Sequence, residues 1–169
     1  MTRFERSAKF AMFPHMISRN SSSSIFRARI LLVDDNANGL AARKSVLEEL
    51  GYRIVTSTSG ADALEQFASH KFDLVVTDYK MPRMDGLDLI ARLRKYTPDL
   101  PIVLVSGYVD TLGLNEAATG ADVVIQKSAH EVSHLIRSVN RLLRRKSPPK
   151  KPAAAQAPMP KAKRKGAAG

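Results

Sequence analysis

The stretch Asp73–Gly86, D-L-V-V-T-D-Y-K-M-P-R-M-D-G, decides the fold of this chain. Its first half is apolar and rich in β-branched residues, which predicts a buried strand of a parallel sheet. The strand ends in the carboxylate of Asp78, and a loop containing Pro82 leads into a helical pattern from Leu87. Because open α/β sheets place their chemistry beyond the carboxyl ends of the strands, Asp78 is the first candidate functional residue.

Short apolar segments and amphipathic patterns alternate on both sides of this stretch. Strands are predicted over residues 30–33, 53–57, 72–77, 102–105 and 123–125, and helices over 37–50, 59–67, 87–94, 109–118 and 128–143. Five strands alternating with five helices predict an α/β fold, a doubly wound parallel sheet with helices on both faces.

Two of the predicted helices have special features. The helix over 109–118 carries Gly113 and Asn115 in its middle, and a glycine there costs about 1 kcal/mol, so this helix should be the loosest. The last helix has the strongest apolar stripe in the chain. Ser128 and Glu131 precede that stripe in the S-x-x-E spacing, which predicts a capping box.

Composition divides the chain into three parts. Residues 1–29 carry six Lys/Arg and one acid, residues 30–143 carry twelve Lys/Arg and fifteen acids, and residues 144–169 carry nine Lys/Arg and no acid. We therefore predict one domain over 29–145 between a disordered basic, Ser-rich leader (1–28) and a disordered Pro/Ala/Lys-rich tail (146–169). A transit peptide and a wrongly chosen start codon are alternative interpretations of the leader.

Several classes of function are excluded by composition. The chain has no cysteine, which excludes disulfides, thiolate metal sites and thiol catalysis. No apolar run approaches the ~20 residues that a membrane-spanning helix needs. His130 and His134 are spaced i, i+4 on the last helix, but they lack a third ligand, so a solvated face is the preferred interpretation.

Three aspartates are predicted to meet at one edge of the sheet. Asp34 and Asp35 end the first strand and Asp78 ends the third, and in a doubly wound sheet these strands are neighbours. Clustered carboxylates raise one another's pKa unless a cation lies between them. Because all the ligands are oxygens, Mg²⁺ is the predicted ion.

Two further strand ends bring a hydroxyl and an ammonium to the same edge. Ser106 ends the fourth strand and Lys127 follows the fifth. Carboxylates, Mg²⁺, a hydroxyl and a lysine together form a site suited to phosphoryl transfer. One carboxylate would be the nucleophile, and the cations would offset charge on the transferring group.

Residues 29–145 resemble the receiver domain of two-component response regulators, of the stand-alone, CheY-like kind. The matching motifs occur in the family's order: Val33-Asp34-Asp35-Asn36, Thr77-Asp78, Met81-Pro82, Met84-Asp85-Gly86, Val105-Ser106-Gly107, Gly120-Ala121-Asp122 and Lys127. The resemblance implies the strand order 2-1-3-4-5 of flavodoxin-like folds. It also implies a cytoplasmic protein.

The resemblance assigns a role to each site residue. Asp78 would accept a phosphoryl group from a histidine kinase or a histidine phosphotransfer protein. Mg²⁺ would be held by Asp34, Asp35, Asp78 and the backbone carbonyl of Lys80. Ser106 and Lys127 would contact the phosphoryl group. The protein would then present a changed face to a downstream partner, around residues 109–118, strand five and the last helix. It would not be an enzyme beyond its own phosphorylation and dephosphorylation.

The chain departs from the family pattern at two positions. Ser128 follows Lys127 where the family usually has proline, and the predicted cap offers another way to begin the helix. The family's switch aromatic falls on Val124, and Tyr108 is a candidate substitute.

Three other functions are considered for the whole chain. The first is a DNA-associated regulator in which the basic tail binds nucleic acid without sequence preference. The second is a phosphatase with an aspartyl nucleophile, which the missing D-x-D pattern disfavours, since Lys80 occupies its second acidic position. The third is a receiver that is never phosphorylated, which the complete set of acids disfavours.

Overall fold

The computed structural model describes residues 28–146. Its elements are β1 Arg29–Val33, α1 Ala37–Glu49, β2 Arg53–Ser57, α2 Gly60–Ser69, β3 Leu74–Asp78, α3 Gly86–Tyr96, β4 Ile102–Ser106, α4 Val109–Leu112, α5 Glu116–Thr119, β5 Val123–Gln126 and α6 Glu131–Lys146. The predicted leader and tail lie outside the described residues, except that Ala28 is buried and α6 extends to Lys146. None of the helices within residues 28–146 has the length and apolar character needed to cross a membrane.

The five strands form one parallel sheet in the order β2-β1-β3-β4-β5. This order confirms the predicted doubly wound fold. Val33 pairs with Thr77, and Asp78 pairs with Val105. The residues that follow β1, β3 and β4 therefore lie side by side at one edge of the sheet, which is the carboxyl edge predicted to hold the site.

Each face of the sheet is covered by its own pair of helices. Leu40 and Leu47 of α1 pack with Leu135 and Val139 of α6 in one buried cluster. The other face is covered by α2 and α3, whose buried residues include Ala63, Leu89, Ile90 and Leu93. Burying each large aliphatic side chain contributes about 1.5–3 kcal/mol. Because their apolar residues share one cluster, α1 and α6 lie together on the same face of the sheet although they are distant in sequence.

The prediction of one continuous helix over 109–118 is wrong, because the structure has two single-turn helices there, α4 and α5. Gly113 ends α4 with φ 61°, in the left-handed region. Asn115 then caps α5, and its side-chain oxygen accepts a hydrogen bond from the Ala118 amide at 2.9 Å. A left-handed glycine and an N-cap two residues apart end one helix and begin the next.

The predicted capping box at Ser128 and Glu131 is also wrong. The Ser128 hydroxyl accepts a hydrogen bond from the His130 amide at 3.2 Å, and α6 begins only at Glu131. The Glu131 carboxylate accepts a hydrogen bond from Arg43 Nε at 2.7 Å instead. A buried guanidinium requires a counter-charge, whereas an exposed helix end can be satisfied by water, so the arginine takes the carboxylate.

Candidate functional site

The carboxylates of Asp34, Asp35 and Asp78 meet at the carboxyl edge of the sheet, as predicted. One oxygen from each lies within 4.8 Å of the others. Asp34 and Asp78 are buried, at 1% and 5% exposure, while Asp35 is exposed. Donors of this kind, all oxygen and partly open to solvent, fit a hard divalent cation such as Mg²⁺ and do not fit a thiophilic metal.

Lys127 lies directly against this cluster. Its Nζ is 2.6 Å from Asp78 Oδ1 and 3.8 Å from Asp34 Oδ2. The position of Lys127 follows from the sheet, because its amide donates to the Ser106 carbonyl at 2.8 Å and continues the β4–β5 ladder. The ammonium therefore lies beside two of the three aspartates.

The pKa of Asp78 is raised above its ordinary value. Burial is the main cause and the negative charge of Asp34 adds to it, while the hydrogen bond and charge of Lys127 and the charge of Arg43 oppose it. The ionised carboxylate is thus less stable here than in water. A divalent cation among the aspartates would favour the ionised form, which is a second reason why the residues fit a metal.

Asp34 has partners on both of its carboxylate oxygens. Oδ1 accepts from the Asn36 amide at 2.8 Å, and Oδ2 accepts from Arg43 Nη1 at 2.6 Å. Asp34 therefore does not cap α1, and Asn36 performs that function.

Arg43 contacts the acidic cluster but was not predicted from the sequence as a site residue. It lies three residues after Leu40 and four before Leu47, in the core-facing stripe of α1, and only 7% of its side chain is exposed. A charged residue in an apolar stripe is the sequence signal that could have identified it.

Lys80 and Tyr108 line the cleft beside the cluster, whereas Ser106 is buried at the end of β4 and is not among the lining residues. The buried Ser106 hydroxyl accepts from the Tyr108 amide at 2.9 Å. The Lys80 amide donates to Asp78 Oδ2 at 3.2 Å, and Lys80 Nζ lies 3.5 Å from the Tyr108 hydroxyl and 5.5 Å from its ring centroid. Lys80 and Tyr108 form one wall of the cleft.

The cleft is open and holds about 700 Å³. It is lined by Asp34, Asp35, Asn36, Asp78, Lys80, Met81, Pro82, Gly107, Tyr108 and Lys127. His130, which precedes α6, and His134, on α6, are both exposed and do not line the cleft. Within residues 28–146, neither histidine joins a group of three metal-ligating side chains.

Comparison with known proteins gives a consistent result. The family model described as "Response regulator receiver domain" matches residues 30–140. The probable transcriptional regulator ycf27 of Cyanidium caldarium is 32% identical over 126 residues, covering 73% of this chain and 50% of that protein. The response regulator receiver protein CpdR of Brucella abortus is 28% identical over 115 residues, and the match covers 68% of this chain and 96% of CpdR. The chain spans half or less of the length of several curated relatives.

Solved structures agree with this result. The response regulator TrrA of Thermotoga maritima, in complex with Mg²⁺ and BeF, is 35% identical with a TM-score of 0.62, covering 68% of this chain and 98% of that one. A receiver domain from Clostridium thermocellum is 29% identical with a TM-score of 0.64, covering 70% and 96%.

Proposed function

The chain belongs to the response regulator receiver domain family, and on that premise we propose that Asp78 accepts a phosphoryl group in a Mg²⁺-dependent reaction. The donor would be a phosphohistidine on a histidine kinase or a histidine phosphotransfer protein. The observation that carries the proposal is the placement of Lys127 Nζ 2.6 Å from Asp78 Oδ1, beside two further carboxylates.

The proposed reaction follows from these positions. A carboxylate oxygen of Asp78 attacks phosphorus, the phosphorus–nitrogen bond of the donor breaks, and the electron pair leaves with the histidine. The ammonium of Lys127 offsets negative charge on the transferring group. Mg²⁺, held by Asp34, Asp35 and Asp78 with the Lys80 carbonyl as a further ligand, would neutralise part of the same charge when bound.

We propose that Ser106 transmits the change. Its hydroxyl now bonds the Tyr108 amide, so contact with a phosphoryl oxygen would alter the start of α4. The two single-turn helices after it contain few buried residues, and switching elements come from such low-stability regions. The downstream partner would then bind the face formed by α4, α5, β5 and α6. On this proposal the chain is a phosphorylation-controlled binding module rather than an enzyme acting on a separate substrate.

The proposal is tested by intact mass after incubation with Mg²⁺ and acetyl phosphate. We expect a gain of one phosphoryl group that is lost when EDTA is present. If a known receiver is labelled in parallel and this chain is not, the same test is repeated with a phosphorylated histidine phosphotransfer protein. Absence of labelling from both donors would contradict the proposal.

Replacing Lys127 by methionine should slow labelling by about 10²-fold, the usual effect of removing one electrostatic stabiliser of a transition state. The fold should survive, because the lysine side chain is 36% exposed. The rate is measured by intact mass over time. Lys95→Met, an exposed lysine of α3, is the control and should label at the normal rate. Equal labelling rates for Lys127→Met and Lys95→Met would contradict a role of Lys127 in phosphoryl transfer.

A second candidate function is binding of DNA by the tail under control of the receiver. It is favoured by nine Lys/Arg and no acid over residues 144–169, and by similarity to proteins named as transcriptional regulators. Binding of this kind should weaken steeply between 50 and 200 mM salt, by about 10³-fold if six phosphates are contacted. Fluorescence anisotropy of labelled duplex DNA, with and without residues 147–169, tests it. Equal DNA binding with and without these residues would show that the tail does not bind DNA.

A further inference from the structure

We propose that Arg43 is a positioning residue of the phosphoacceptor site, a resident cation that competes with the divalent ion for Asp34. Through Glu131 it also couples occupancy of the metal site to the first turn of α6. The inference rests on the proposed function for its biological meaning, but it concerns metal binding and is testable without phosphorylation.

The first observation is the geometry of a buried three-residue bridge. Arg43 donates from Nη1 to Asp34 Oδ2 at 2.6 Å and from Nε to Glu131 Oε1 at 2.7 Å. The arginine side chain is 7% exposed, and those of Asp34 and Glu131 are 2% and 14% exposed. One guanidinium therefore joins α1, the end of β1 and the start of α6.

The second observation is that α1 leaves room for this bridge. A Cβ at Gly39 would lie 3.2 Å from Asp34 Oδ2 and 3.3 Å from Arg43 Nη1. Almost any other residue at position 39 would therefore press on the ion pair. The glycine lies one turn before the arginine, on the side of α1 that faces the acidic cluster.

The third observation concerns the oxygens that a metal would use. Both carboxylate oxygens of Asp34 already accept hydrogen bonds, Oδ1 from Asn36 and Oδ2 from Arg43. A divalent ion taking Asp34 must share an oxygen with one of these donors or displace it. The amide of Asn36 is fixed by the backbone, and Lys127 Nζ lies 3.8 Å from Oδ2, beyond hydrogen-bond distance. Arg43 is therefore the hydrogen-bonded side chain that an ion would displace. Like charges also repel, so the guanidinium and the ion oppose each other even without direct displacement.

The fourth observation is the second attachment of the arginine. A guanidinium is not deprotonated in proteins, so the charge of Arg43 is permanent, and its Nε donates to Glu131 Oε1 as well. Glu131 opens α6 and lies four residues after Lys127. When the ion weakens the bond to Asp34, the guanidinium shifts toward Glu131. The start of α6 and the loop carrying Lys127 are thereby linked to metal occupancy.

Substitutions at the two ends of the bridge should have opposite effects on Mg²⁺ affinity. Arg43→Met removes the competing cation, so Mg²⁺ should bind about tenfold more tightly. Glu131→Gln leaves Arg43 with Asp34 as its one anionic partner in the bridge, so Mg²⁺ should bind about threefold more weakly. In the Arg43→Met background, Glu131→Gln should have little effect, and this non-additivity reports the coupling.

The controls come from an exposed ion pair on the same helix. Lys44 and Glu48 lie 3.8 Å apart and are nearly half exposed. Lys44→Met removes the same charge one residue from Arg43 without touching Asp34, and Glu48→Gln removes a carboxylate that does not contact Arg43. Both should bind Mg²⁺ as the unaltered protein does, to within about twofold.

The experiment is a Mg²⁺ titration of the full chain at constant ionic strength, followed by calorimetry and by the midpoint of thermal unfolding. No phosphodonor is added. Tighter binding by Arg43→Met supports the proposal, whereas a purely structural arginine would give equal or weaker binding and overturn it. If Arg43→Met does not fold, Glu131→Gln decides: weaker binding supports the proposal, and unchanged or tighter binding overturns it.

The two proposals fail in different ways. Labelling of Asp78 together with unaltered Mg²⁺ affinity in both variants would overturn the role of Arg43 and leave the proposed function intact. If Arg43→Met binds Mg²⁺ more tightly but no donor labels the chain, the role of Arg43 stands and the proposed function is overturned. A chain that shows no Mg²⁺ binding in any form would overturn the role of Arg43.

Discussion

The Asp78→Asn variant is expected to accept no phosphoryl group, and in metal-free buffer to be more stable than the unaltered protein. The amide is not a nucleophile toward phosphorus, so labelling by acetyl phosphate should be lost completely. The gain in stability has a separate cause. Burial and the charge of Asp34 raise the pKa of Asp78, and an uncharged amide of the same shape removes both penalties. Lys127 loses its partner, but its side chain is 36% exposed and can be hydrated.

The stability effect should depend on pH in a defined direction. A carboxyl group with a raised pKa binds its proton more tightly in the folded chain than in the unfolded chain. Its ionisation therefore destabilises the fold at neutral pH. That cost disappears as the pH falls through the raised pKa toward the ordinary value of 3.8.

The free energies of unfolding of the two proteins should accordingly differ most at neutral pH and converge on acidification. The difference at neutral pH measures how much more tightly the folded chain holds the Asp78 proton, at about 1.4 kcal/mol for each tenfold change in proton affinity. Urea unfolding in EDTA, between pH 7 and pH 4, measures the difference and cancels the contributions of other groups. A variant less stable than the unaltered protein at pH 7 would contradict the burial argument, and labelling of the variant would contradict the assignment of the acceptor.

Gly86→Ala is expected to unfold the domain or to destabilise it by at least about 3 kcal/mol. A Cβ at this position would overlap the carbonyl oxygen of Asp78, and it would lie 3.0 Å from Tyr79 Cα and from Leu104 Cδ1. Two of these contacts involve backbone that carries the phosphoacceptor. The Gly86 amide also donates to the Tyr79 carbonyl at 2.8 Å. Moving the backbone of Gly86 away from Asp78 would therefore break this hydrogen bond. Overpacking against a fixed backbone lies at the upper end of such costs.

Gly107→Ala is the matched control for this substitution. A Cβ there would meet no atom within 4 Å, so stability should change by no more than about 0.5 kcal/mol. Denaturant midpoints of the two variants and the unaltered protein give the comparison. Equal midpoints for Gly86→Ala and Gly107→Ala would show that the loop after β3 can move away from α3.

The sequence predicted the sheet and its functional edge because their signals are local. A parallel strand buried on both faces needs a short run of β-branched and aliphatic residues, and such runs stand out between polar segments. Once the strands are known to be parallel and neighbouring, the residues after β1 and β3 must meet. The sequence alone was therefore enough to place Asp34 and Asp78 together.

Local signals were not sufficient where they competed. The spacing of Ser128 and Glu131 matches a capping box, yet the glutamate bonds Arg43 of another helix. The pattern over 109–118 is helical in composition, yet Gly113 and Asn115 divide it. In the first case a capping preference of about 1 kcal/mol yields to the counter-charge that a buried arginine requires. In the second, two local preferences compete, and the helix-ending glycine and the N-cap asparagine prevail over the helical composition.

What the sequence alone determined, then, is the fold, the carboxyl edge of the sheet and the acidic residues at it, since each depends on patterns within a few residues. What only the tertiary structure decided is how those acids are held. Arg43 and Glu131 are separated by 88 residues, and nothing in either local pattern requires them to meet. They meet because α1 and α6 cover the same face of the sheet. There, a buried guanidinium must take its counter-charges from the neighbouring elements.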